Sequence, residues 1–195
     1  TLGFSHLDTG IMYRAITWLA LKNGVPVEDE TSLGELARAN PLGLVGDDGD
    51  QVLAAGHTLG PELRYSSVDR NVSTVSKAPP VRRELVAQQR QIAFRGKIVM
   101  VGRDIGTVVL PDADLKVYLT ASAENRAQRR WQEMQERGQA VELMTVLSET
   151  LARDRTDSSR EDSPLRPAQD AWELNTDGLD IGQVVQKIID QVSSL

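Results

Sequence analysis

The 195-residue sequence contains no cysteine, which excludes a disulfide framework and a thiolate metal site. It also lacks an apolar run long enough to span a bilayer and a signal-peptide pattern, so we expect a cytoplasmic protein with no membrane partner. Basic residues do not predominate, and a net charge of -6 argues against a nucleic-acid partner. With 40% hydrophobic residues, the length suits one domain with a sizeable core, and we expect a monomer.

Histidines and aromatic residues are also scarce. His6 falls within a predicted strand and His57 within a predicted insert, and neither has a plausible ligand partner in the sequence. We therefore assign no catalytic or metal-binding role to either histidine, and we predict no protein-held metal site. Trp18, Trp131 and Trp172 are predicted to be packing residues.

The arginines, by contrast, are concentrated in particular stretches of an acidic chain. Their planar side chains suit bidentate recognition of phosphate, so the clusters indicate a local anion site. In the alternative, each arginine is a solvated residue on a helix surface. The clustered residues are Arg82, Arg83, Arg103, Arg126, Arg129, Arg130, Arg153, Arg155, Arg160 and Arg166.

Short apolar segments alternate with helix-forming segments along the chain. This pattern predicts an α/β fold in which helices flank a parallel sheet in three layers. In residues 40–58, two β-like runs flank the turn cluster Gly46–Asp50 and predict a small antiparallel insert. The other predicted strands are 4–7, 98–101, 115–119 and 172–174, with 98–101 and 115–119 buried; the predicted helices are 11–22, 31–39 (capped by Thr31 or Ser32), 68–77, 81–94, 123–136, 141–153 and 181–192.

Polar segments follow three of the predicted strands: Asp8-Thr9-Gly10, Gly102-Arg103-Asp104 and Thr120-Ala121-Ser122. Ligands of parallel α/β sheets bind beyond the carboxyl ends of the strands, so these segments are the first candidates for a site. Glycines beside Arg103-Asp104 would let the backbone approach a ligand closely.

The segment from Asp8 to Arg14 places a capping side chain and backbone N–H groups at a helix start, which favours an anion. Arg14 lies about one turn further along the same helix. In the alternative, Asp8 or Thr9 is an N-cap only, and Tyr13 and Arg14 are surface residues.

Two further groups have helical spacing: Arg126, Arg129 and Arg130, and Arg153, Asp157 and Arg160. Convergent arginines under a mobile cover stabilise the charge of a phosphoryl group in transfer. An exposed helix laced with salt bridges explains the same spacings equally well.

Taken together, these segments resemble the bacterial cytidylate kinases, a family of P-loop nucleoside monophosphate kinases, over essentially the whole chain and in order. The resemblance implies phosphoryl transfer from ATP, accompanied by Mg²⁺, to CMP or dCMP. Its most specific part is GRDIGTVV at 102–109. The matching stretches are 7–14 (LDTGIMYR), 81–82 (VR), 102–113 (GRDIGTVVLPDA), 119–122 (LTAS) and 153–165.

The resemblance also implies a role for each matching residue. Asp104 would accept from the cytosine amino group, while Arg82 and Ser73 would donate to the ring acceptors. Asp157 would meet the ribose hydroxyls, with Arg153 nearby. The CMP phosphate would lie among Thr9, Tyr13, Arg14, Arg103 and Arg160; Arg129 or Arg130 would approach the ATP phosphates; and the catalytic residues would be Arg103, Arg130, Arg153 and Arg160.

One family feature is missing from the sequence. The pattern G-x-x-x-x-G-K-[ST], which holds the ATP phosphates, lies upstream of the first matching segment in the family and occurs nowhere here. We therefore expect this sequence to be part of a longer protein whose first strand and main ATP site lie outside it. A chain that truly started at Thr1 would bind CMP weakly at best and would not turn over.

The family pattern divides the chain into a core (1–39, 78–128 and 160–195), a monophosphate-binding region with the antiparallel insert (40–77) and a lid (129–159). Two other functions stay open at this stage. One is a different pyrimidine monophosphate kinase, for example one that prefers UMP. The other is a non-catalytic nucleotide-binding remnant.

Overall fold

The computed structural model describes residues 2–45, 51–159 and 165–195. The chain forms two compact units, Thr1–Ile105 and Gly106–Leu195. The first unit contains β1 (Ser5–Asp8), α1 (Thr9–Lys22), α2 (Glu30–Ala39), β2 (Gly43–Val45), β3 (Gln51–Ala54), β4 (His57–Leu59), a 3₁₀ turn (Pro61–Arg64), α3 (Ser66–Val75), α4 (Pro79–Ala93) and β5 (Ile98–Val101). The second contains β6 (Val117–Thr120), α5 (Ala123–Glu136), α6 (Leu143–Ser158), β7 (Trp172–Asn175) and α7 (Ile181–Ser193), and a π-helical turn covers Ile105–Val109.

The first unit is built on a parallel strand pair. β1 and β5 run side by side with Asp8 opposite Val101, so the carboxyl ends of both strands meet at one edge. The predicted burial of β5 is wrong in part, because Val99 and Val101 are 44% and 49% exposed. Within the described ranges β5 pairs with β1 alone, which leaves much of this apolar strand uncovered.

Helix α1 is the centre of the first unit's core. Ile11, Ala15 and Leu19 recur at four-residue spacing, which places them on one face, and all three are buried. Asp8 caps the helix by accepting from Gly10 N at 2.8 Å. The helix ends at Asn23, whose backbone N–H bonds back to Leu19 O, as the Asn-Gly pair predicts.

Helix α2 packs closely against the start of α4. A Cβ on Gly34 would overlap Pro80, so glycine is needed for this approach. Pro80 is tolerated there because backbone N–H groups in the first turn of a helix have no acceptor within the helix, so the N–H that proline lacks is not needed. The predicted cap of α2 is wrong: Asp29, rather than Thr31 or Ser32, caps the helix, because its carboxylate accepts from Ser32 N at 3.0 Å.

The antiparallel insert is confirmed and has three strands in the order β2-β3-β4. Ala55 and Gly56 join β3 to β4 with φ of 48° and 79°, the left-handed backbone that suits a two-residue hairpin turn. His57 on β4 contacts α1: its Nε2 lies 2.8 Å from Lys22 Nζ, and its ring meets the edge of Trp18. The turn cluster Gly46–Asp50 lies outside the described residues.

The second unit also holds a parallel pair, β6 with β7, in which Thr120 lies opposite Asn175. The predicted burial of β6 is wrong in part, because Leu119 is 54% exposed. Helix α5 has its predicted bounds, whereas α6 continues to Ser158, five residues beyond its predicted end. Helix α7 opens with a capping box in which Asp180 and Gln183 satisfy each other's backbone N–H groups.

These pairs confirm an α/β fold with parallel strands. The three-layer sheet and the division into core, monophosphate-binding region and lid stay predictions. No helix in the described ranges combines the length and the apolar character needed to cross a membrane.

Candidate functional site

The first part of the site lies where β1 and β5 end. Thr9, the first residue of α1, donates its hydroxyl to Val101 O at 3.0 Å and so joins the start of the helix to the end of β5. The next residue, Gly102, has no room for a side chain: a Cβ would lie 2.7 Å from Ile105 Cδ1 and closer still to Thr9 Oγ1. The predicted meeting of these two loops at one sheet edge is confirmed.

Arg82 and Asp104 form a buried ion pair beside that edge. Arg82, on α4, is 4% exposed, and Asp104, in the loop after β5, is 7% exposed. Arg82 Nη1 also donates to Ser76 O at 3.3 Å, and its guanidinium lies 5.9 Å from the centre of the Tyr13 ring. A buried pair with these contacts fixes the orientation of both side chains.

Tyr13 and Arg14 are not the surface residues of the alternative interpretation. Tyr13 is 7% exposed, and the side chain of Arg14 is 13% exposed. Arg14 Nη1 donates to Leu63 O at 2.8 Å and to Asp69 Oδ1 at 2.6 Å. The guanidinium is therefore held between α1, the 3₁₀ turn and α3.

Two other predicted residues belong to the first unit. Ser73 lies on α3, one turn after Asp69, and is partly buried. Arg103 is partly buried in the loop that carries Asp104. Contacts thus connect Thr9, Tyr13, Arg14, Arg82 and Asp104 to neighbouring elements of one unit.

In the second unit, one arginine of α5 binds a carboxylate of α6. Arg126 donates from Nη1 and Nη2 to the two oxygens of Asp154 at 2.8 and 2.6 Å, a bidentate pair. This hydrogen bonding to Asp154 raises the pKa of Arg126 above its ordinary value. For Arg126, then, the salt-bridge interpretation of the helix spacing is confirmed.

The other arginines of α5 and α6 differ in their surroundings. Arg129 and Arg130 are both exposed, and Arg129 donates to Thr176 O at 2.7 Å and to Thr176 Oγ1 at 3.1 Å. On α6, Arg153 Nε lies 3.9 Å from Oδ2 of Asp157, which is 2% exposed. Arg160 lies outside the described residues.

Asp177, which the sequence analysis missed, ties the end of β7 to the start of α5. Its carboxylate accepts from Ser122 N at 3.0 Å and from Asn125 Nδ2 at 2.7 Å. The hydrogen bond from Asn125, more than any other cause, holds the pKa of this carboxyl below its usual range. The polar run that follows β7 was the available signal, since it stands at a strand end like the three segments that were found.

Asp69 was also missed, and no local pattern marks it. It lies 55 residues along the chain from Arg14, so only the folded structure brings the two together. Across the described ranges, no group of three or more His, Cys, Asp or Glu side chains could hold a metal ion.

Comparison with known proteins points to one family. A family model described as cytidylate kinase matches residues 1–194. The chain is 48% identical to a cytidylate kinase from Streptococcus equi subsp. equi, covering 100% of this chain and 87% of that protein. It is 44% identical to a cytidylate kinase from Bacillus velezensis, covering 97% and 85%.

The chain is also similar to part of a two-function protein. It is 44% identical to a bifunctional pantoate ligase/cytidylate kinase from Trichodesmium erythraeum, and the match covers 97% of this chain. The chain spans 36% of the length of that relative.

Proposed function

The chain belongs to the cytidylate kinase family, and from that membership we infer that it is a phosphotransferase acting on ATP and CMP or dCMP. The products are ADP and CDP or dCDP. The observation in the structure that supports this function best is the buried Arg82–Asp104 pair at the carboxyl end of β5.

The pair suits the hydrogen-bonding edge of cytosine. Cytosine offers an amino donor at N4 and acceptors at N3 and O2. Asp104 would accept from the amino group, and Arg82, with Ser73 on α3, would donate to the acceptors. UMP presents a carbonyl where CMP has its amino group, so the carboxylate of Asp104 would disfavour it.

The phosphate of CMP would bind at the start of α1. Backbone N–H groups at a helix start favour an anion, and Thr9, Tyr13 and Arg14 lie in the first two turns. Arg103, in the loop after β5, would add a second guanidinium. These roles follow the family pattern residue by residue.

The family pattern also assigns the remaining roles. Asp157 and Arg153 would meet the ribose, and Arg129 or Arg130 would approach the ATP phosphates. Arg129 and Arg130 are both exposed, but Arg129 is bonded to Thr176, so Arg130 is the better candidate for a direct phosphate contact. Arg160 would complete the set and act with Arg103, Arg130 and Arg153 in catalysis.

The reaction requires no nucleophilic side chain. A phosphate oxygen of CMP forms a bond to the γ-phosphorus of ATP while the bond from that phosphorus to the β-phosphate oxygen breaks, and ADP leaves. The protein holds the reactants in line, and the arginines stabilise the charge on the transferring group.

We propose that Mg²⁺ enters with ATP rather than binding a protein cage. Mg²⁺ keeps several waters and often binds through substrate phosphates, and the described residues contain no cluster of three or more candidate ligands. When bound, the ion would neutralise charge on the phosphates. A three-layer sheet of the P-loop kinase type, a lid at 129–159, a cytoplasmic location and a monomeric state complete the proposal.

The test is a coupled ADP-release assay on CMP, dCMP and UMP with the full-length wild-type protein and its Asp104→Asn variant. We expect the wild type to prefer CMP over UMP strongly. The amide that this substitution introduces can donate its NH2 group to the UMP carbonyl, which the carboxylate cannot do. The ratio of kcat/KM for CMP to that for UMP should therefore fall at least about tenfold.

Asp114→Asn is the matched control, because it removes the same charge from an exposed carboxylate. It should leave the ratio unchanged. Because D104N leaves the buried Arg82 without its counter-charge, far-UV circular dichroism and a melting curve are needed to test whether the variant folds at the assay temperature. Equal wild-type rates on CMP and UMP, or a ratio that D104N does not change, would contradict the role given to Asp104.

A further inference from the structure

The guanidinium group of Arg14 is held through a single nitrogen, Nη1. Nη1 donates both to Leu63 O at 2.8 Å and to Asp69 Oδ1 at 2.6 Å. Leu63 is 1% exposed, so its carbonyl belongs to a fixed part of the first unit. Among the described residues, neither Nε nor Nη2 of Arg14 has a hydrogen-bond acceptor.

This arrangement fixes the plane of the guanidinium. The five N–H donors of arginine lie in one plane, so two acceptors on Nη1 set the direction of the rest. The edge formed by Nε and Nη2 is one that an oxyanion can bind in a bidentate manner. Arg14 is therefore anchored through Nη1, and its Nε and Nη2 groups are available to bind an oxyanion.

We propose that Asp69 is a positioning residue that orients Arg14 for the phosphate of the bound nucleoside monophosphate. The proposal rests on the proposed function, which places that phosphate at the start of α1. Asp69 lies on α3, one turn before Ser73, so the same helix supports the phosphate contact and carries a candidate base contact.

An opposing effect must be weighed, because a carboxylate beside Arg14 also weakens its attraction for a phosphate. The Asp69 side chain is 40% exposed, and water and salt screen its charge. Ordering a free arginine side chain costs rotamer entropy, and Asp69 removes much of that cost before the ligand arrives. We therefore expect the benefit of orienting Arg14 to outweigh the competition between Asp69 and the phosphate for its guanidinium group.

The experiment measures binding of CMP and of cytidine by calorimetry to the wild type, Asp69→Ala and Asp69→Asn. Asp69→Ala should weaken CMP binding about three- to tenfold, because Arg14 loses one of its two anchors. Asp69→Asn keeps an oxygen acceptor for Nη1, so CMP affinity should stay within about twofold of the wild type. Cytidine, which has no phosphate, should bind all three proteins equally.

Two controls separate positioning from general stability. Glu84→Ala removes a carboxylate from another ion pair of the first unit, with Arg38, and should leave CMP affinity unchanged. In an Arg14→Ala background, Asp69→Ala should have no further effect on CMP binding, because the residue through which it acts is gone.

The outcomes are distinct. Tighter CMP binding in both Asp69 variants would show that the carboxylate competes with the phosphate, and would overturn the proposal. Equal losses for CMP and cytidine, or no loss for either, would also overturn it. A wild type that binds neither compound would instead contradict the proposed function, and the inference with it.

Discussion

Gly102, like Gly34, is a residue of the first unit that has no room for a side chain. A Cβ on Gly102 would lie too close to both Thr9 and Ile105, and the hydroxyl of Thr9 also bonds to Val101. The residue joins the end of a strand to the loop that carries Arg103 and Asp104. Its lack of a side chain is thus what allows the start of α1 and this loop to lie against each other.

We predict that Gly102→Ala destabilises the protein by about 1–3 kcal/mol, because an added Cβ forces its neighbours apart. Urea unfolding would measure the loss. Gly43→Ala is the matched control, since an added Cβ there meets Leu53 at an ordinary distance of 3.5 Å. If both variants unfold at the wild-type urea concentration, the close approach at Gly102 does not constrain the fold.

At the scale of elements, helix α5 is attached to the end of β7 at two points. Asp177 accepts from the backbone N–H of Ser122, the N-cap of α5, and Arg129 donates to Thr176 further along the helix. A carboxylate at a helix N-terminus also interacts favourably with the helix dipole. Both attachments help to set the direction in which the exposed Arg130 projects.

We predict that Asp177→Ala lowers the melting temperature at neutral pH by a few degrees, and that this deficit shrinks in acid. The folded state lowers the pKa of Asp177 below its ordinary value of 3.8, chiefly through the hydrogen bond from Asn125. The contribution of ionised Asp177 to the stability of the fold is therefore complete above pH 3.8. It is lost as the pH falls through the lowered pKa of the folded state.

Melting curves of the wild type and Asp177→Ala at about pH 7 and about pH 3 would measure this change. Asp114→Ala removes an exposed carboxylate elsewhere in the same unit, and it serves as the comparison for loss of charge alone. A deficit as large at about pH 3 as at about pH 7 would rule out an ionised Asp177 as its cause.

The helices were easier to predict from the sequence than the contacts that each helix or strand makes with its neighbours. Every helix predicted from the sequence is present in the described ranges, because apolar spacing and caps are local signals. The three-residue strand β4 was missed, since only its pairing with β3 makes it a strand. The exposed face of β5 was missed because an apolar run shows only that burial of the strand is favourable. It does not show which element, if any, covers the strand.

The candidate site shows the same limit. The strand-end rule found Asp8–Gly10, Gly102–Asp104 and Thr120–Ser122 from sequence alone. It could not show that Asp104 pairs with Arg82 or that Asp69 holds Arg14, because such pairs join residues far apart in the chain. The roles of individual residues in binding CMP stay predictions.

For the whole molecule, ligand binding should appear as a gain in stability. A ligand at about 100 times its Kd that binds the folded state alone stabilises it by about 2.7 kcal/mol, which for a chain of this length raises Tm by roughly 5–10 °C. We predict a rise of this size with CMP and a smaller one with UMP at the same concentration.

Tryptophan fluorescence would follow this transition. Replacing Trp131 and Trp172 with Phe leaves Trp18 as the reporter of the first unit, which holds the Arg82–Asp104 pair. The same melt without nucleotide provides the baseline. Identical shifts with CMP and UMP would mean that the protein does not distinguish the two bases.

The buried Arg82–Asp104 pair also limits how this protein can evolve. Losing either partner alone leaves an uncompensated buried charge, which typically costs about 3–5 kcal/mol, a large share of the stability of an ordinary domain. An apolar replacement of both residues can be tolerated, but a lineage that changes one codon at a time must first pass through a poorly folded intermediate. The two positions are therefore expected to be inherited together, even in descendants that no longer need to recognise cytosine.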